Sequence, residues 1–100
     1  MTRIVFFDIE DWEKDYFENQ LGEVGTLKFF DQKISAENIG QIGDCEIVSV
    51  FSDSQINKST LDKLPNLKMI ATRATGFDHV DIKETKGRGI VVCNVPKYGE

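Results

Sequence analysis

One hundred residues with 12 Lys+Arg against 17 Asp+Glu carry a net charge of −5, and 40% of the chain is hydrophobic. Such a length fits one domain that buries about two-thirds of its extended surface. The acidic balance, without any Lys/Arg run, excludes a nucleic-acid-binding face or an anionic-membrane binder, and no apolar run approaches the roughly 20 residues a bilayer span demands.

Arg3 to Asp8 is a short apolar run of β-formers ending at an acid, and predicts strand one. Ile9 to Leu21 predicts a helix whose buried stripe is Ile9, Trp12, Tyr16, Phe17 and Leu21. Glu10, Asp11 and Glu13 sit in its first turn, favourable to the positive end of the helix dipole, and Gly22 stops it. Val24 to Phe30 predicts strand two. Ser35 to Ile42 predicts a short helix with Ser35 as N-cap and Gly43 as its end. Glu46 to Phe51 is strand three, and Ser59 to Leu64 is a helix halted by Pro65. Leu67 to Ala74 is strand four. A loop, Thr75-Gly76-Phe77-Asp78, leads into a helix over His79 to Lys86, which Gly87 and Gly89 close before strand five at Ile90 to Cys93. Val95 to Glu100 reads as loop.

Strand and helix alternate throughout, which specifies an α/β fold with a parallel sheet covered on both faces. For five strands the natural doubly wound choice is flavodoxin-like, order 2-1-3-4-5. Strand five has no helix after it. The expectation is that another subunit covers that face or, preferably, that residues 1–100 are the front piece of a longer protein.

Cys45 and Cys93 lack C-x-x-C spacing and, on strands three and five with strand four between, would lie beyond disulfide reach. Two free thiols and a reducing, cytoplasmic setting follow as expectations. Asp8 interrupts the first apolar run where a secretory core would continue, so no signal peptide is expected.

Open α/β sheets bind ligands beyond the carboxyl ends of their strands. That rule selects Asp8, Phe30-Asp31, Phe51-Ser52-Asp53, Arg73 to Asp78, and Asn94 to Tyr98. At Thr75-Gly76-Phe77-Asp78, a glycine between a buried strand and a helix start lets successive backbone N–H groups converge on a carboxylate or phosphate. Arg73 would add a cation if its side chain faces the cleft. The plain alternative is a strand-to-helix turn, with Gly76 serving its φ and Asp78 the N-cap. Asp8, Glu10, Asp11 and Asp53 read as caps and helix-start charges more readily than as a metal cluster. His79 is the one histidine and reads as structural or solvated, so no cluster of histidine metal ligands is expected. Gly87-Arg88-Gly89 follows a helix and precedes a strand, the reverse of a dinucleotide-binding fingerprint, so no cofactor-binding residue is assigned.

The segment Leu67 to Asp81, containing Arg73-Ala74-Thr75-Gly76-Phe77-Asp78-His79-Val80-Asp81, resembles a signature of the D-isomer-specific 2-hydroxyacid dehydrogenases. Gly87 to Glu100, with Val95-Pro96-Lys97-Tyr98, is similar to the stretch that follows it in that family, and the pairing resembles the D-lactate dehydrogenase branch. The resemblance implies a two-domain NAD-dependent enzyme of which residues 1–100 are the N-terminal part of the substrate (catalytic) domain, with the NAD-binding domain absent from this chain. It implies that the backbone N–H groups of Thr75 and Gly76 hold a 2-oxoacid carboxylate. It also implies that Phe51 lines the side-chain pocket and that Tyr98 places an aromatic hydroxyl near the cleft. The family's catalytic Arg, Glu and His lie downstream, so no catalytic residue is assigned and the chain alone is expected to be inactive. The implied partners are a small 2-oxo or 2-hydroxy acid and the NAD-binding domain, in a full-length homodimer.

Two readings from other classes stand beside it. A signalling receiver domain has a similar fold and acids at strand ends, but here Asp8 is followed by Ile9, strand three ends in Phe51-Ser52, and Lys97 follows Pro96 rather than preceding it. A freestanding small-anion-binding module would leave its ligand in an open half-cleft.

Overall fold

The computed structural model describes residues 2–23, 25–51, 54–73 and 80–94. Its elements are β1 (Thr2–Phe6), α1 (Asp11–Leu21), β2 (Gly25–Phe29), α2 (Ala36–Ile39), β3 (Ile47–Val50), α3 (Lys58–Asp62), β4 (Met69–Thr72), α4 (Ile82–Gly87) and β5 (Val91–Asn94). All pairings are parallel and the strand order is β2-β1-β3-β4-β5, as expected from the alternation.

Register explains the two cores. Because alternate residues of a strand face opposite ways, Leu27, Ile4, Ile47, Met69 and Val91 form one row across the sheet, and Lys28, Val5, Val48, Ile70 and Val92 form a row on the other face. Apart from the exposed Lys28, the second row belongs to the larger core, where Val5, Val48 and Ile70 meet Ile39 of α2, Leu61 of α3, and Val80 and Ile90 on either side of α4. On the opposite face Ile4 and Phe6 pack with Ile9 and with Phe17 of α1, and the Phe6 and Phe17 rings lie 4.4 Å apart. This smaller core thins toward β5, where Val91 is 56% exposed. The expected gap in cover on that side of strand five is therefore visible at Val91.

Local chemistry sets the element ends. Ser35 Oγ accepts from Asn38 N at 3.3 Å while Asn38 Oδ1 accepts from Ser35 N at 2.8 Å, a reciprocal cap on α2. Asn57 Oδ1 caps α3 through Thr60 N at 3.1 Å. Gly89 has φ 71, the left-handed value that lets the chain turn from α4 into β5. Gly25 is required for another reason: a Cβ there would lie 2.5 Å from the Thr2 carbonyl oxygen across the β1–β2 pairing.

Several expectations need correction. Helix α1 starts at Asp11, not Ile9, and its buried stripe is narrower than foreseen: Trp12 and Tyr16 are 53% and 39% exposed, and Glu13 occupies the inner position instead. Helix α2 ends at Ile39, with Gly40 as its C-cap, although Ile42 remains buried. Helix α4 begins at Ile82 and is capped by Asp81, whose Oδ1 accepts from Glu84 N at 3.1 Å. Asp78 is therefore not its cap. Cys45 precedes β3 rather than lying on it.

Both cysteines are free, as expected. Cys45 is 1% exposed, and burial, reinforced by the Asp44 carboxylate, pushes its thiol up to about 11. The folded protein thus holds a proton on Cys45 at pH values where the unfolded chain releases it, and stability falls as pH rises from about 9 toward about 11. At pH 8, N-ethylmaleimide followed by mass spectrometry should leave Cys45 unmodified until urea unfolds the chain; modification in the native protein at the rate of a free peptide thiol contradicts this burial.

Candidate functional site

In an open parallel sheet the cleft forms past the carboxyl ends of the strands where the order reverses. Here that point lies between β1 and β3. The described residues of this rim are Phe7 and Asp8 after β1, Phe30 after β2, Phe51 and Ser54 after β3, and Arg73 after β4.

The chain leaving β1 is fixed from several directions. Phe7 N donates to Ser49 O at 2.9 Å, Asp8 N to Gln32 O at 2.8 Å and Ile9 N to Phe30 O at 3.1 Å. The Phe7 ring stacks on Phe30 at 5.0 Å. Asp8 has φ 56, the one positive value at a non-glycine among the described residues. Its Oδ2 accepts from Ser54 Oγ at 2.7 Å, and Ser54 Oγ in turn accepts from Ile34 N at 3.0 Å. Ser54 is fully buried, and its N–H donates to Phe51 O at 3.2 Å. Phe51, at the end of β3, is 45% exposed.

Arg73 follows from strand parity. Met69 and Ala71 face α1, so Arg73, two residues further, enters the same side and runs beneath the helix. Its Nη1 lies 3.3 Å from Glu13 Oε2 and its Nη2 donates to the Phe7 carbonyl. The side chains are 2% and 11% exposed, so the guanidinium is turned into the protein and not toward the cleft. Its Nε is buried without a hydrogen-bond partner. Glu13 is satisfied further by Glu10 N, which donates to Oε1 at 3.0 Å. Neither Glu13 nor Ser54 was singled out for this rim by sequence reasoning. Glu13 did leave a signal, because Ile9, Glu13, Phe17 and Leu21 form an unbroken series four apart, and an acid inside an apolar series needs a buried cation.

Thr75, Gly76, Phe77, Asp78, His79, Asp53 and Tyr98 lie outside the described residues. Of the expected positions, Asp8 and Phe51 stand at this rim. The expectation that Arg73 adds a cation to the cleft is corrected, because its guanidinium is buried against Glu13 and the Phe7 carbonyl. Ser54 and Glu13 join the rim unforeseen. Asp8, Glu10 and Asp11 do not gather round a common point: Asp8 holds Ser54, Glu10 is the N-cap of α1 and Asp11 opens its first turn. No group of three or more metal-ligating side chains occurs among the described residues. After β1, Asp8-Ile9-Glu10 stands where a dinucleotide-binding fold places a glycine turn, and its carboxylates would repel a pyrophosphate there. Two acids away from the rim are perturbed. Glu46, before β3, is held below its usual range by a hydrogen bond from Lys68 and then by one from Arg3 N; Asp62 of α3 is lowered mainly by its hydrogen bond from Arg88. No helix among the described residues is long and apolar enough to cross a membrane.

The model of the D-isomer specific 2-hydroxyacid dehydrogenase catalytic domain matches residues 4–100. The chain belongs to that family. It is 31% identical to D-lactate dehydrogenase of Staphylococcus aureus over 102 aligned residues, covering 98% of this chain and 31% of that protein. Among solved structures, the complex of D-lactate dehydrogenase from Aquifex aeolicus with NAD and lactic acid superposes with a TM-score of 0.85 at 29% identity, over 96% of this chain and 28% of that one. The apo-structure of D-lactate dehydrogenase from Escherichia coli gives 0.84 at 26% identity, over 97% and 32%. The chain therefore spans less than a third of the length of these relatives. Family membership displaces the signalling-receiver alternative, whose likeness lay in the fold and in acids at strand ends.

The Glu13–Arg73 pair yields a stability prediction. Removing one member strands a charge in a nearly dry site, at a cost of about 3–5 kcal/mol, whereas replacing both with apolar residues of similar volume is close to neutral. Urea denaturation should show Glu13→Ala strongly destabilised and the double variant Glu13→Met, Arg73→Met recovering most of the loss. Equal destabilisation of the single and double variants would show that the charges are not coupled.

Proposed function

We propose that this chain is the N-terminal part of the substrate-binding domain of an NAD-dependent D-2-hydroxyacid dehydrogenase acting reversibly on pyruvate or a closely related 2-oxoacid. The match of residues 4–100 to the catalytic-domain model carries this reading, and the D-lactate dehydrogenases among the relatives favour a small substrate. In this proposal the backbone N–H groups of Thr75 and Gly76 hold the carboxylate. Phe51 borders the substrate's side chain, in keeping with its half-exposed place at the carboxyl end of β3. Tyr98 is assigned to substrate binding through its hydroxyl in the same proposal. Arg73 serves from beneath the rim, consistent with its buried guanidinium.

Residues 1–100 orient the acid and supply no proton donor or cofactor loop. Binding of NAD and the proton transfer that accompanies reduction belong to the nucleotide-binding domain of the parent chain. A half-cleft leaves its ligand facing solvent, so tight binding requires closure against that second domain.

The complete gene product, supplied with NADH and pyruvate, should oxidise NADH at 340 nm and form D-lactate, while residues 1–100 alone should be silent. L-lactate as product, or no oxidation with any 2-oxoacid, overturns the assignment; NADH oxidation by residues 1–100 that depends on His79 overturns the division of labour. Phe51→Ala in the complete enzyme should raise kcat/KM for 4-methyl-2-oxopentanoate relative to pyruvate about tenfold, the scale on which apolar pockets discriminate. An unchanged ratio removes Phe51 from the pocket.

A further inference from the structure

Asp8 combines two features that the proposed function does not use. Its backbone sits at φ 56, a left-handed conformation for which a non-glycine residue needs compensation. Its carboxylate is joined at 2.7 Å to the hydroxyl of Ser54, a side chain with no exposure at all. The hydroxyl is oriented by its second bond: because Ile34 N donates to Ser54 Oγ at 3.0 Å, the hydroxyl proton is left to Asp8 Oδ2. Ser54 is tied through its N–H to the carbonyl of Phe51 at 3.2 Å. Asp8, Ser54 and Phe51 thus form one continuous series of bonds from the end of β1 to the end of β3, and no other charged group joins it among the described hydrogen bonds.

We propose that Asp8 and Ser54 are positioning residues that set substrate side-chain selectivity by fixing the chain that carries Phe51. This inference rests on the proposed role of Phe51 and goes beyond it, since neither Asp8 nor Ser54 touches the reacting atoms. The physical basis is rigidity. A ring 45% exposed at a strand end is only partly held by packing, so the bond from Ser54 N–H to the Phe51 carbonyl adds restraint. Ser54 supplies it from a buried position, and the left-handed turn at Asp8 aims the carboxylate at Ser54.

The test uses the complete enzyme and the ratio of kcat/KM for 4-methyl-2-oxopentanoate to that for pyruvate. Ser54→Ala and Asp8→Gly both remove the bond, and glycine accepts the left-handed φ without strain. Each should move the ratio about fivefold to tenfold in the direction given by Phe51→Ala, with the Kd for NADH within about twofold. Asp8→Asn keeps an acceptor and tolerates the same φ, and should keep the ratio within about twofold of the unmutated enzyme. A merely structural role would lower both kcat/KM values in proportion and leave the ratio unmoved, and that result overturns the proposal. So does a ratio shifted as far by Asp8→Asn as by Asp8→Gly. If either bond-breaking variant fails to fold, the other decides. An unmutated enzyme that reduces neither acid refutes the functional reading and this inference together; an active enzyme whose variants keep the ratio refutes the inference alone.

Discussion

The carboxyl end of β1 is where this structure concentrates its polar bonding. Within Phe7 and Asp8, the Phe7 N–H reaches Ser49 and its carbonyl takes the Arg73 guanidinium, while the Asp8 N–H reaches Gln32 and its carboxylate takes Ser54. Two residues therefore bind the ends of β2, β3 and β4 to one strand. That is a consequence of topology. In a 2-1-3-4-5 sheet, β1 is flanked by β2 and β3, and the chain diverges into helices on opposite faces as it leaves these strands. Divergence exposes backbone polar groups that no ladder can satisfy, and buried ones must find other partners. Arg73 and Ser54 are those partners. The cleft that the topology opens is stiffened by the bonds that the opening makes necessary.

The fold was legible because it is encoded in short-range pattern. Apolar runs such as Ile47–Val50 and Met69–Thr72, each bounded by turn residues, identify strands without reference to anything distant. Ser35 announced its cap for the same reason. Boundaries were less legible where two local signals compete. Asp78 and Asp81 are both credible caps, and the structure uses Asp81. The pattern points to Gly43 as the stop of α2, whereas Gly40 ends it.

The rim was harder to read, since its interactions are long-range in sequence. Arg73 and Glu13 are 60 residues apart, and Ser54 and Asp8 are 46 apart. Glu13 misled for a specific reason. Trp12 and Tyr16 are large aromatics of α1, and hydrophobicity alone assigns them to the core, yet each is one residue from, and so about 100° around the helix from, the series Ile9, Glu13, Phe17 and Leu21 that faces the sheet. A helix of this length can bury one stripe against a single flank of a sheet, and a buried cation waiting beneath it favours the stripe containing the acid. Arg73 and the apolar residues Ile9, Phe17 and Leu21 meet the same face of α1 or its approach, which is the face that lies inside. The motif around Gly76 was recognisable because its chemistry is local, but a motif says little about the residues that hold its surroundings still.

The energetics of Asp8 explain why its effect should appear in geometry and not in stability. Left-handed backbone costs an L-residue about 1–2 kcal/mol. A hydrogen bond to a charged acceptor returns about 1.5–3 kcal/mol net. The two nearly cancel, so the Asp8–Ser54 bond adds little to the folding free energy while removing freedom from the chain on both sides of it. An ordinary residue in extended conformation would avoid the backbone cost, but it would leave the buried Ser54 hydroxyl without its acceptor and the segment carrying Phe51 without its link to β1. A contact with almost no net energy can still discriminate between two substrates, because selectivity depends on the difference between two bound states and not on the depth of either. The left-handed turn at Asp8 and the half-exposed ring of Phe51 are in this sense one feature, separated by two strands in the sequence order and joined by a single buried serine.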